Sequence, residues 1–350
     1  MTPAAKRRHK RIMLWSFVVV VLGSLALPLA GYLAVGVGDV VAADATNARS
    51  DFWRAVRHGA SGYSAVTGPE AGVLVSDAGQ QWRMLREGPI KQYGLWLMGG
   101  SLALIVLFFL LRGQLKLEGR VDRSRVLLRW TAFERGLHWF TAILFIILAV
   151  TGLSLALGRA FLIPVFGKAG FAAYSEVAML AHNYLGPFFV LGVLLEIVLW
   201  ARHNLPNTDD ILWFLKGGGF GKSHPHAGRM NGGEKVWFLI LCTFGVAVCV
   251  TGLILDFPNF GQTREQMQIA SLIHAGCAMF WIAVSFGHIY IGSIGTEGAL
   301  EGMTTGYVTE EWARQHHDRW YEEEAAKGRV LDRDDVEAGA ERDDSAPRSV

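Results

Sequence analysis

The chain has 350 residues, of which 51% are hydrophobic and 18% charged, with a formal net charge of +2. That composition points to a membrane protein, and so small a charge gives no ground for a nucleic-acid partner. No segment alternates with period two over about ten residues, which argues against a membrane β-barrel.

Six apolar stretches follow one another: Ile12–Gly38, Gln92–Leu111, Leu137–Leu157, Val177–Trp200, Val236–Leu255 and Ile269–Ile294. Each is near the roughly 20 residues a spanning helix needs. The first follows the basic run Lys6–Arg11 and precedes the small residues Val41–Ala45. It is therefore either a signal peptide or a first transmembrane helix, although it is long for a signal segment and Pro28 interrupts it. Residues 39–91 are polar and rich in Gly, Ala and Ser, and read as a small, partly ordered extension outside the membrane, ahead of a helix over 92–112. Residues 113–294 carry the remaining four spans. The tail 295–350 holds 15 acids against seven Lys/Arg and reads as surface helices that become disordered past about residue 325.

Basic residues orient the spans. Residues 112–136 carry seven Lys/Arg and residues 201–235 carry five, whereas the connections 158–176 and 256–268 carry two and one. The positive-inside rule then puts the basic loops and both termini in the cytoplasm, unless the N-terminal segment is cleaved, and puts 39–91 outside.

His274 and His288 lie 14 residues apart in the last stretch. At about 100° and 1.5 Å per residue they leave one helix face about 21 Å apart, one toward each side of a hydrocarbon core about 30 Å thick. His182 falls at the outer level with His274, and His138 at the inner level with His288. A lone histidine in a membrane is often a packing residue or a proton relay. Four that match in depth instead read as the axial ligands of two low-spin b haems, His182/His274 outer and His138/His288 inner. There is no C-x-x-C-H run for covalent haem attachment. His9, His58, His203, His224, His226, His316 and His317 fall outside the spans and read as surface residues.

Gly136, Gly152, Gly186, Gly192, Gly252, Gly276 and Gly287 accompany the histidines and leave room for a flat macrocycle or a neighbouring backbone. Val-Thr-Gly-Leu recurs at 150–153 and 250–253, a weak internal echo consistent with two facing helical hairpins. Cys242, Cys249 and Cys277 read as small packing residues.

Residues of about 125–324 resemble the cytochrome b (gamma) subunit of membrane-bound respiratory formate dehydrogenase. The resemblance rests on Glu134-Arg135-Gly136-Leu137-His138-Trp139, Ala181-His182-Asn183-Tyr184-Leu185-Gly186 and Arg202-His203-Asn204-Leu205-Pro206. It continues in Asn231-Gly232-Gly233-Glu234-Lys235, Leu272-Ile273-His274-Ala275, Gly287-His288-Ile289-Tyr290 and Arg314-Gln315-His316-His317-Asp318-Arg319-Trp320-Tyr321.

The resemblance implies a four-helix di-haem cytochrome b bundle; short family members lack residues 1–120, and the first two apolar stretches add one or two N-terminal transmembrane helices, making the fold class an all-α integral membrane protein. It implies a bacterial inner-membrane subunit that does not itself oxidise formate. Such a subunit takes electrons from an iron–sulfur (beta) subunit, fed by a molybdenum- or tungsten-containing catalytic (alpha) subunit, and passes them to menaquinone or ubiquinone at the cytoplasmic side. The resemblance maps quinone contacts onto Asn231, Gly233 and His288. Asn231 is also a natural helix cap. Alternatives are a di-haem anchor of a hydrogenase or thiosulfate reductase, or a haem-free transporter or assembly factor.

Overall fold

The computed structural model describes residues 50–63, 72–219 and 224–338, so the stretch Ile12–Gly38 lies outside the described residues. Helix α1 (Ser50–His58) precedes an antiparallel pair, β1 (Ala60–Ser61) with β2 (Val73–Val75). Helix α2 (Asp77–Leu85) starts at Ser76, whose hydroxyl accepts the Gly79 amide at 3.4 Å. A π-helical turn at Arg86–Ile90 joins it to α3 (Lys91–Arg112). Strand β3 (Arg125–Leu128) leads into α4 (Ala132–Trp200), and α5 spans Thr208–Leu215. Helices α6 (Gly232–Ile240) and α7 (Val246–Asp256) join through the π-helical turn Leu241–Gly245. Then come α8 (Arg264–Tyr290), α9 (Ala299–Thr305), β4 (Tyr307–Thr309), α10 (Glu310–His316), α11 (Asp318–Ala326) and β5 (Leu331–Asp332).

Continuous helix over Asp77–Arg112, Ala132–His203, Gly232–Asp256 and Arg264–Gly295 is long and apolar enough to cross a membrane. The second run has 72 residues, ample for two crossings at about 20 each. Its helical geometry fails at Gly167, where φ is 68°, a left-handed value that favours glycine. The two expected spans Leu137–Leu157 and Val177–Trp200 are thus the two arms of α4. The protein is an all-α membrane protein.

The chain divides into two compact units. Unit one gathers residues up to Gly100 with Ile143–Phe189 and Ala247–Ala283. In it, Phe145, Phe189 and Trp281 form an aromatic core with ring centroids 5.1–6.1 Å apart. Gly94 of α3 lies against Met279 of α8, where any side chain would collide with the thioether. The Trp82 indole of α2 donates to the Ser271 hydroxyl at 2.6 Å, which fastens the N-terminal extension to α8.

Unit two gathers Ser101–Ala142, Val190–Val246 and Val284–Val350. Its sheet has the order β4-β3-β5, and Leu127, Val308, Trp312, Ala313 and Trp320 pack into a core. An acidic tail reads as disordered beyond about residue 325. The described chain instead continues to residue 338, because Leu331 and Asp332 pair antiparallel with Val126 and Arg125.

The tail also corrects the reading of two histidines as surface residues. His317 is 1% exposed, and His316 stacks on Trp312 with centroids 5.0 Å apart. His317 Nδ1 donates to the Gly228 carbonyl at 2.8 Å, so Nε2 is left to accept from Arg129 Nη2 at 3.3 Å. Burial holds His316 near about 4 and His317 well below the usual 6.5, with the Arg129 charge adding to both shifts. Both rings are therefore neutral in the fold, and the stability they contribute is complete above 6.5. It is lost as pH falls from 6.5 toward 4, because the released rings protonate more readily than the buried ones. Acidification through that window is expected to release the tail, seen as protease cleavage around α10 and α11. His317→Phe is expected to flatten the response, and a tail equally resistant at both ends of the window would refute this account.

Candidate functional site

Unit one brings His182 and His274 together, with ring centroids 6.2 Å apart. His182 is on the second arm of α4 and His274 on α8. The Thr151 hydroxyl donates to the Ile147 carbonyl at 2.8 Å, as threonine hydroxyls in helices often do. Its single proton is then spent, so its oxygen accepts from His182 Nδ1 at 2.9 Å. On α7, Thr251 donates to the Ala247 carbonyl at 2.6 Å and its oxygen lies 3.3 Å from His274 Nδ1. His274 Nδ1 also donates to the Val248 carbonyl at 3.1 Å. Both rings are thereby fixed as Nδ1–H tautomers, with the Nε2 lone pair kept for another partner.

The glycine after each threonine completes the arrangement. A Cβ at Gly152 would stand 3.1 Å from His182 Cε1, and one at Gly252 would stand 3.2 Å from His274 Cε1. The repeated Val-Thr-Gly-Leu is therefore a histidine cradle used twice, with threonine orienting the ring and glycine making room for it.

Unit two brings His138 and His288 together at 6.3 Å between centroids. His138 stands one turn inside α4, which opens with a capping box. The Thr131 hydroxyl accepts the Glu134 amide at 3.3 Å, and Glu134 Oε2 accepts the Thr131 amide at 2.8 Å. His288 lies flat against Trp237 of α6, with centroids 4.2 Å apart and planes within 4°. Nothing in the local sequence marks Trp237 for this, since it stands 51 residues away. His138 Nδ1 is buried and has no hydrogen-bond partner among the described residues.

Both pairs fit a metal held between two imidazoles. Rings bonded at about 2.0 Å from either side of one ion place their centroids about 6.2 Å apart. A tautomer fixed by a second hydrogen bond is also usual for metal-binding histidine. Among the described residues a Cβ at Gly186, one turn after His182 on the same helix face, would meet nothing within 4 Å, which leaves space beside the first pair. The donor set is imidazole only, which suits a low-spin b-type haem.

Asn231 caps α6. Its Oδ1 accepts the Glu234 amide at 3.0 Å, while Glu234 Oε2 accepts the Asn231 amide at 2.9 Å. The cap uses the oxygen and leaves the Asn231 side-chain NH₂ uncommitted. A Cβ at Gly233 would meet the Trp213 ring at 3.0 Å, so glycine there lets α5 pack on the start of α6.

Glu234 connects this cap to an inner ionic cluster. Arg129, 2% exposed, donates to Glu234 Oε1 at 3.1 Å. The rings of Trp130, Trp312 and Trp320 surround its guanidinium at 4.9, 5.6 and 5.0 Å. Arg229 donates to Glu134 at 2.7 Å. Among the described residues no group of three or more His, Cys, Asp or Glu has the arrangement of a metal site.

Comparison with known proteins gives the family of the chain. The cytochrome b556(fdo) subunit of formate dehydrogenase from Escherichia coli K12 is 32% identical over 208 residues, 58% of this chain and 95% of that protein. The nitrate-inducible cytochrome b556(Fdn) subunit of the same organism is 27% identical over 210 residues, 58% of this chain and 94% of that protein. The formate dehydrogenase cytochrome b556 subunit of Haemophilus influenzae is 29% identical over 194 residues, 53% of this chain and 79% of that protein. The profile of the prokaryotic cytochrome b561 family matches residues 129–306, a segment that includes all four paired histidines. The chain therefore belongs to the prokaryotic cytochrome b561 family, and formate dehydrogenase cytochrome b subunits are among its relatives.

Proposed function

We propose that this chain is the membrane cytochrome b subunit of a formate dehydrogenase, carrying electrons across a bacterial inner membrane to quinone. The observation that carries this reading is the pair of facing imidazoles in each unit, spaced for one metal ion and embedded in apolar helices. His182 with His274, and His138 with His288, would each hold one b haem, which supplies a one-electron carrier when bound. Thr151, Thr251 and the Val248 carbonyl keep the outer imidazoles in the ligating tautomer. Trp237 fixes the plane of His288.

The partners are an iron–sulfur subunit and a molybdenum- or tungsten-containing subunit that oxidises formate. In this orientation the loops 112–136 and 201–235 and the tail face the cytoplasm, and residues 39–91 face the periplasm. The domain order is 1–38 as a cleaved or retained first segment, 39–91 as the extension, 92–112 as a transmembrane helix, 113–294 as the cytochrome and 295–350 as the tail. Quinone, menaquinone or ubiquinone, then docks beside His288 at the start of α6. There the Asn231 side-chain NH₂ can donate to a quinone carbonyl, and Gly233, against which Trp213 packs, lies two residues on.

Asn231→Asp keeps a capping oxygen but removes that donor. It is expected to keep two haems and to slow quinone reduction about tenfold, one hydrogen bond's worth. Unchanged quinol formation would remove Asn231 from the site. Gly152→Val, which drives a branched side chain into the His182 ring, is expected to cost one of the two haems. A full haem complement in that variant would contradict the outer pairing.

A further inference from the structure

The second arm of α4 carries a buried acid that this mechanism does not use. Glu196 is 7% exposed and lies in the apolar run Leu191–Trp200. Among the described residues no cation pairs with it, whereas Glu134 has Arg229 and Glu234 has Arg129. An ionisable side chain inside a membrane is costly to keep and usually serves transport of charge.

Beside it stands the Thr141 hydroxyl. Thr141 donates its one proton to the Leu137 carbonyl at 3.0 Å. An acid sealed among apolar side chains with no cation is kept as the neutral carboxylic acid, because burying its charge unpaired is costly. The two arms approach closely here, since a Cβ at Gly192 would stand 2.6 Å from Thr141 Oγ1. One turn further along, Trp200 Nε1 donates to Glu134 Oε1 at 3.3 Å. Glu134 precedes His138 by four residues and Thr141 follows it by three. The Glu196–Thr141 and Trp200–Glu134 contacts therefore bracket the level of His138, with the ion-paired carboxyl nearer the helix start and the unpaired one further in.

We propose that Glu196 donates a proton to the quinone reduced beside the His138/His288 pair, a proposal that rests on the quinone reading above. Quinone takes two electrons, from formate oxidation, and two protons to become quinol. Glu196 gives one of these protons to a quinone oxygen, becomes a carboxylate, and regains a proton from the side on which Glu134 and Arg229 stand. The second proton comes from water at that same side.

The test uses the full haem-loaded chain in lipid nanodiscs, reduced with dithionite and mixed in a stopped-flow instrument with one of two oxidants. A short-chain benzoquinone or naphthoquinone needs protons as well as electrons, and ferricyanide needs electrons only. Glu196→Gln is expected to slow haem oxidation by quinone about 100-fold, the scale of a lost general acid, and to leave oxidation by ferricyanide unchanged. Wild-type rates with both oxidants, or equal slowing with both, would overturn the proposal. Should Glu196→Gln lose its haem, Glu196→Asp decides by the same comparison, since it keeps the proton but withdraws it by one methylene. Slowing confined to quinone supports the proposal, and any other pattern overturns it. A wild-type chain whose haems no quinone oxidises would instead refute the function on which the proposal rests.

Discussion

His182→Ala and His288→Ala are each expected to reduce the haem content from two to one per chain. His182→Ala leaves the His138/His288 pair untouched, because the residues that orient each pair lie within its own unit: Thr151, Thr251 and the Val248 carbonyl in one, Trp237 in the other. The two variants should therefore remove spectroscopically different haems. Loss of either interrupts a series path, so electron delivery from formate to quinone should fall by about 100-fold or more, at least as far as loss of a supporting residue around a metal ligand costs. A reduced-minus-oxidised spectrum with pyridine haemochrome quantitation checks the count. Identical residual spectra in the two variants would mean that the rings do not ligate separate haems.

Arg129→Met is the second large effect, and it acts on stability. The methionine matches much of the volume but removes the charge that Glu234, His317 and three indoles surround. Breaking a buried pair costs about 3–5 kcal/mol when the remaining charge is sealed in. Glu234 keeps 36% of its side-chain exposure, so water recovers part of that loss. The cation–π contacts add about 0.5–1 kcal/mol each. A net loss of about 3 kcal/mol is expected, localised to the tail and to the Met230–Glu234 segment that opens α6. Hydrogen exchange should show faster exchange in α10, α11 and the first turn of α6, with the haem count unchanged. Protection equal to wild type in those segments would show that the cluster does not tie the tail down.

The four paired histidines were legible because they sit in long apolar runs whose helical period is unambiguous. Depth in a membrane then orders them without any knowledge of packing. The Val-Thr-Gly-Leu echo was also visible, but its use was not. Thr151 meets a ring 31 residues away and Thr251 one 23 residues away, contacts that no local pattern encodes. Burial of His317 was hidden for the same reason, since its partner Arg129 lies 188 residues earlier and the tail around His317 is polar. Charge density reads such a tail as solvated, and β5 pairing with β3 depends on a strand two hundred residues upstream. Glu196 escaped because one acid among Leu, Ile and Val barely lowers the hydropathy of a 20-residue window. The capping role of Asn231 was legible from its place before an apolar run, whereas the packing of Trp213 on Gly233 required the fold.

The most direct measurement is the haem-to-protein ratio of the purified full-length chain, read with the low-temperature electron paramagnetic resonance of its oxidised form. Two b haems per chain, both low-spin with bis-imidazole signals, are predicted. One haem or none, or a high-spin signal from a singly ligated iron, would contradict the assignment of His138, His182, His274 and His288 as two ligand pairs.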